Sequence, residues 1–210
     1  MRTIRDIRIK NENGYLITIN LKSIIGRELK LLIKKEEENQ HLRILDYLIH
    51  YFTDSKPVIN NGQTIAYHSW LLKFIIVADI ISVYEVQPNG GGFIEGVDYA
   101  IGVVTDQERE CVKHNATPLF PLFSQMVVIS KGVLDGKDVD AVRYSSPSHM
   151  TGWWITTELY DDNIESLETI HYFHLAFKRP DIMKYLALSF GFRFQSGHQD
   201  NVWFDEKILS

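Results

Sequence analysis

Met126–Thr156 reads "MVVISKGVLDGKDVDAVRYSSPSHMTGWWIT", and its hydrophobic period decides the fold class. "SQMVVISKGV" is a β-rich run, "LDGKD" a turn, "VDAVRYS" an alternating run and "GWWITTEL" a third strand. Short strands joined by turns predict a sheet that is mainly antiparallel. Successive strand residues point to opposite faces, so Trp153 and Trp154 must part company. One ring is expected in the core. The other belongs to the opposite face, either covered by a helix or presented to a partner.

Downstream, Glu158, Asp161, Asp162 and Glu165 fall within eight residues. They suit a solvated turn and a helix start, where Asp162 or Asn163 can cap and Glu165 complements the helix dipole. They also suit a partner-docking edge or a carboxylate pair for glycoside hydrolysis. "SLETIHYFHLAFK" has helical spacing at Leu167, Ile170, Phe173, His174 and Phe177. Pro180 stops it and can open a further turn, "PDIMKYLAL". "GFRFQS" and "NVWFDEKIL" close the chain as strands.

Upstream, "TIRDIRI" and "GYLITINLK" flank "KNENG" and predict a hairpin. "RELKLLIKK" fits strand or helix. Glu36–Phe52 carries apolar residues at Leu42, Leu45, Leu48, Ile49 and Phe52, an amphipathic helix that ends before Pro57. "QTIAYHSWLLKFIIV" and "ISVYEVQ" read as strands, the first apolar enough to be buried on both faces. Thr105 and Glu108 form a capping box, which predicts a short helix from there to about His114. The fold class is therefore α+β, mainly antiparallel sheet with a few amphipathic helices packed on it. The Pro-bounded connector "NATPLFP" divides residues 1–120 from 121–210, although one continuous domain is also compatible.

Charge is unevenly spread. Residues 1–35 hold nine Lys/Arg against three Asp/Glu, residues 36–124 five against twelve, and residues 125–210 eight against twelve. The acidic bulk disfavours nonspecific nucleic-acid binding and favours a basic partner. A single cysteine rules out an intramolecular disulfide and a cysteine metal cage. The first twenty residues have no secretory apolar core, and Lys73 and Asp79 interrupt the longest apolar run, so a cytoplasmic location and no membrane span are expected.

Motifs for cofactors fail. "NGGGFIEG" fits no register of the dinucleotide fingerprint and is followed by no Walker lysine, so it reads as a turn. His171 and His174 share a helix face but lack the four-residue spacing and the glutamate of zinc proteases. Cys111 sits beside Glu108 and Glu110, which raise a thiol pKa and make it a poor nucleophile. No metal, cofactor or catalytic set is expected.

Over Gln125–Ser210 the sequence resembles the bacterial polymorphic-toxin immunity protein family 33, formerly a domain of unknown function. The resemblance is carried by "SKGVLDGKDV", the following strand "AVRYSSP", the element "SHMTGWWI", with Thr151 where the family has serine, and the acids after it. It implies an α+β protein that binds a cognate protein toxin tightly and neutralises it without catalysis. On that reading Trp153 or Trp154 anchors the partner, while Glu158, Asp161, Asp162 and Glu165 steer it. Two readings compete with it: a carboxylate-dependent hydrolase acting on a carbohydrate, and a cytosolic scaffold module. A sugar platform wants both tryptophan rings on one face, which adjacent strand positions oppose.

Overall fold

The structure is a computed structural model that describes residues 2–33 and 38–209. It is α+β, and the chain divides into two compact units, Met1–Gly102 and Val103–Ser210.

In the N-terminal unit the strands are β1 (Arg2–Ile4), β2 (Ile7–Glu12), β3 (Tyr15–Thr18), β4 (Glu28–Leu32), β5 (Thr64–Tyr67), β6 (Trp70–Val77), β7 (Ile80–Val86) and β8 (Phe93–Glu95). They form one sheet in the order β1-β2-β3-β4-β7-β6-β5, with β8 also on β7. Only the β4–β7 pair is parallel among the pairs of this sheet. The expected hairpin is β2–β3, turned at Asn13 and Gly14, both left-handed. "TIRDIRI" is itself a second hairpin, turned at left-handed Arg5 and Asp6. "RELKLLIKK" resolves as strand over Glu28–Leu32, and Lys34 and Lys35 lie outside the described residues.

"QTIAYHSWLLKFIIV" is two strands rather than one. A two-residue turn at His68–Ser69 folds β5 back on β6, and β6 buries alternate residues on one face instead of both. The short α1 (Lys22–Ile25) links β3 to β4. Helix α2 (Glu38–Ser55) buries Leu45, Leu48, Ile49 and Phe52 completely, as the spacing predicts, with Phe52 packed on Phe74 of β6, whereas Leu42 of the same set is only half-buried. Glu36, the predicted start, lies outside the described residues.

Helix α3 (Asp98–Lys113) starts seven residues before the predicted capping box, and Thr105 sits inside it. The cap comes from elsewhere. Buried Glu85 of β7 accepts the amides of Tyr99 (3.0 Å) and Ala100 (2.7 Å), which no local pattern shows.

The C-terminal unit holds β9 (Met126–Ile129), β10 (Val139–Arg143), β11 (Met150–Thr156), β12 (Glu168–His171), β13 (Phe192–Ser196) and β14 (Asn201–Phe204). Their order is β12-β9-β11-β10-β13-β14, parallel only at β9–β11. The predicted helix "SLETIHYFHLAFK" is half wrong: Glu168–His171 is strand β12, and helix α4 runs only over Tyr172–Lys178. The edge of β9 offers unpaired backbone groups, and pairing there outweighs helical spacing.

The core of this unit lies on the sheet's inner face, where Trp153, Ile155, Ala141 and Phe194 meet Tyr172, Tyr185, Leu186 and Leu188. Arg143 is buried there, with no carboxylate paired to it among the described residues. It donates to the carbonyls of Thr151 (2.9 Å), Leu119 (2.8 Å), Leu186 (3.1 Å) and Leu188, and its guanidinium lies over the Trp153 and Phe190 rings. Burial pushes its pKa down to about 9, still well above neutrality, so the cation is held by carbonyl dipoles and the two ring faces.

Candidate functional site

The outer face of the six-stranded sheet follows from its register. Val142 on β10 faces Trp154 on β11 and Arg193 on β13, and Arg193 faces Trp203 on β14. Trp154, Val142, Arg193 and Trp203 therefore form one row across four strands, spanning roughly 14 Å at ordinary strand spacing. Each is half-buried. Trp154 stands edge-on to Tyr144 at 5.9 Å, and the Arg193 guanidinium lies over Trp203 at 5.6 Å. A parallel row beside it, Thr156–Asp140–Gln195–Asn201, is polar.

The polar row runs into a cleft of about 440 Å³ lined by Asp138, Asp140, Thr156, Glu158, Gln195 and His198, among others. Three carboxylates thus line one cleft. Glu158 is bridged by Lys137 Nζ at 2.7 Å, Asp140 by Gln195 Nε2 at 2.9 Å, and Asp138 by His198 Nδ1 at 2.8 Å. The hydrogen bond from His198 holds the Asp138 carboxyl below its ordinary range, and the same contact raises the imidazole. The hydrogen bond to Glu158 likewise raises Lys137.

The loop that carries His198 is fixed from behind. Asp200 accepts from Tyr185 Oη (2.5 Å), Lys184 Nζ (3.0 Å) and Ser196 Oγ (2.8 Å), and the Tyr185 contact leads in holding its carboxyl far below the usual range. Burial meanwhile pushes the Tyr185 hydroxyl up to about 12. Gly197 has no side chain for a physical reason. A Cβ there would stand 2.1 Å from the Asp138 carboxyl carbon.

The structure sorts the residues singled out in the sequence. Trp153 is core, 1% exposed, with its indole N–H donating to the Leu186 carbonyl at 2.9 Å. Trp154 is the outer ring. Gly152 precedes the pair at an irregularity of the strand. It is left-handed at the register shift between Met150 and Trp154, and a Cβ would come within 2.3 Å of the Tyr144 carbonyl. A platform of both rings, which the sugar reading needs, is not formed.

Glu158 lines the cleft, while Asp161, Asp162 and Glu165 sit on the exposed turn that follows. There Asp161 accepts from Ser166 Oγ (2.8 Å) and the Asn163 amide (3.2 Å), the first of which chiefly lowers its pKa. Asn163 caps the single 3-10 turn Ile164–Ser166 by accepting the Glu165 amide at 3.0 Å. Sequence reading did not find Trp203, Asp138, Asp140 or His198. Only the β10–β13 and β13–β14 registers bring them to this face.

The other candidates fall away. "NGGG" is a turn in which Gly90 and Gly92 are left-handed and Asn89 Oδ1 accepts the Gly91 amide. Cys111 is buried, and burial above all pushes its thiol up to about 11. Among the described residues no group of three or more His, Cys, Asp or Glu could hold a metal ion. No helix is long and apolar enough to cross a membrane, again among the described residues.

No curated protein and no solved structure matches the chain. Residues 106–205 match a family model described as an Imm33-like domain. That span contains every strand of the six-stranded sheet, so the part of the chain that carries the tryptophan row and the acidic cleft is similar to the Imm33-like family, as the strand pair and Thr151-Gly152-Trp153 element resemble it.

Proposed function

We propose that the protein is a cytoplasmic immunity protein, which binds a cognate bacterial toxin one-to-one and neutralises it without catalysis. The observation that carries this reading is the outer sheet face, where Trp154 and Trp203 share a row beside the three-carboxylate cleft. Two aromatic anchors with an acidic neighbour suit a basic protein surface: the rings supply affinity and the carboxylates steer approach. Asp161, Asp162 and Glu165 extend the acidic rim on the turn after β11 and add to the steering field.

The test is co-expression with the product of the adjacent reading frame in a heterologous bacterium. Relief of toxicity by this protein alone, with one-to-one co-purification, supports the reading. Trp154→Ala, and separately Asp140→Asn with Glu158→Gln, should leave the fold intact and weaken the complex, the tryptophan by about 2 kcal/mol or more. Toxicity that this protein leaves untouched overturns the proposal, and an unchanged affinity in both variants overturns the assigned face.

A further inference from the structure

The chain passes between its two compact units once, at the peptide bond from Gly102 to Val103. That bond lies inside helix α3 (Asp98–Lys113), so the helix belongs to both units. A helix that joins two bodies is a semi-rigid spacer when its residues favour helix throughout. α3 is not built that way. Its sequence is "DYAIGVVTDQERECVK", and Gly102, Val103, Val104 and Thr105 put a glycine and three β-branched residues in succession at the crossing. All four rank low in helix propensity, glycine lowest, whereas Gln107, Glu108, Arg109 and Glu110 just beyond them rank high.

Packing explains part of this run but not its first member. Val104 is buried, so an apolar side chain is needed there. Gly102 is exposed and not left-handed, and a Cβ built on it meets no atom of the described residues within 4 Å. Alanine would fit without displacing anything and would hold the helix better. What glycine adds at this point is a backbone that bends at little cost.

The two ends of the helix are fastened separately. On the N-terminal side, Glu85 of β7 accepts the Tyr99 and Ala100 amides, and the Asp98 carboxylate stands 3.2 Å from Nε2 of His41, a fully buried residue of α2. All of these residues belong to the N-terminal unit. On the C-terminal side, Gln107 Nε2 donates to the Met183 carbonyl at 3.0 Å, and Cys111 is buried. Those residues belong to the C-terminal unit. The fastened segments, 98–100 and 107–111, thus bracket the weak run.

We infer that residues 102–105 are a hinge. α3 bends within this run and lets the two units change orientation, while each fastened end of the helix moves with its own unit. Hinges of this kind are a few residues that absorb a backbone change between rigid segments. The inference does not depend on the immunity reading.

The test is amide hydrogen exchange and residual dipolar couplings, measured by NMR on the full-length protein and on Gly102→Ala. In the unaltered protein the amides of residues 103–106 should exchange at least about fivefold faster than those of 108–112, and the two units should require different alignment tensors. Gly102→Ala should slow the 103–106 amides about fivefold, the ratio that the propensity gap between glycine and alanine implies, and draw the two tensors together. A merely weak helical turn would give faster exchange with one common tensor, and that result overturns the hinge. So does exchange at 103–106 no faster than at 108–112, or an unchanged rate in the variant. Two tensors that Gly102→Ala leaves as far apart as before place the motion elsewhere and overturn it too.

Discussion

Glu85 should make the N-terminal unit less stable as the solution turns neutral. It is 2% exposed, and burial pushes its carboxyl from an ordinary 4.5 up to about 7, despite the two amides of α3 that favour the anion. Nearby Asp98, itself 3.2 Å from His41 Nε2, adds to the upward push. The sign follows from proton binding. Below pH 4.5 the group is neutral whether folded or unfolded. Between 4.5 and 7 the unfolded chain gives up its proton while the folded chain keeps it, so unfolding becomes easier as pH rises. Above 7 both forms are charged and the full penalty is present. The gap between 4.5 and about 7 corresponds to about 3 kcal/mol. Glu85→Gln should remove this slope. Its amide oxygen can still accept from Tyr99 or Ala100, so the helix keeps a cap. Urea unfolding followed by the NMR signals of β7, repeated between pH 4.5 and 8, measures the slope in both proteins, and the Glu85 carboxyl carbon gives its titration directly. A carboxyl midpoint below 5, or the same slope in the variant, would refute the reasoning. Asp79, Asp161 and Asp200 do not confuse the measurement, since their carboxyls are lowered and act at more acid pH.

Trp153→Ala should cost about 3–5 kcal/mol through the cavity it leaves and the lost bond to Leu186, whereas Trp154→Ala should cost much less, and thermal unfolding of both variants decides. Equal losses would mean that the outer ring is packed as tightly as the inner one. At the cleft, Gly197→Ala should drive the loop off Asp138, and Asp138→Asn should remove the acceptor outright. Both should lower the midpoint of His198 in an NMR titration, because hydrogen bonding to Asp138 is the main cause of its elevation. A midpoint that stays put in both would show that the pair does not form in solution.

What was legible in the sequence is what short-range geometry dictates. The alternation of Val139, Ala141 and Arg143 against Asp140 and Val142 sets the faces of β10, and the adjacency of Trp153 and Trp154 forces one ring out of the core. Arg143 shows the limit of even that rule. Its position in the pattern is an inner one, but a charged side chain there reads as outward until four carbonyls from three separate segments converge on it. The helix errors have the same origin. Thr105 and Glu108 satisfy a local cap, yet α3 begins at Asp98 because a carboxylate fourteen residues before Tyr99 meets its amides. Leu167 to Phe177 keeps a helical period, yet β9 captures its first part as an edge strand. The outer sheet face is the strongest case. Trp203 has no motif around it, and its membership depends on two antiparallel registers, β10 with β13 and β13 with β14, each fixed by which residues must be buried. A one-residue slip of β14 would turn Trp203 to the other face. The candidate site is therefore a product of register, and burial of Phe192 and Phe194 on the inner face is what holds that register in place.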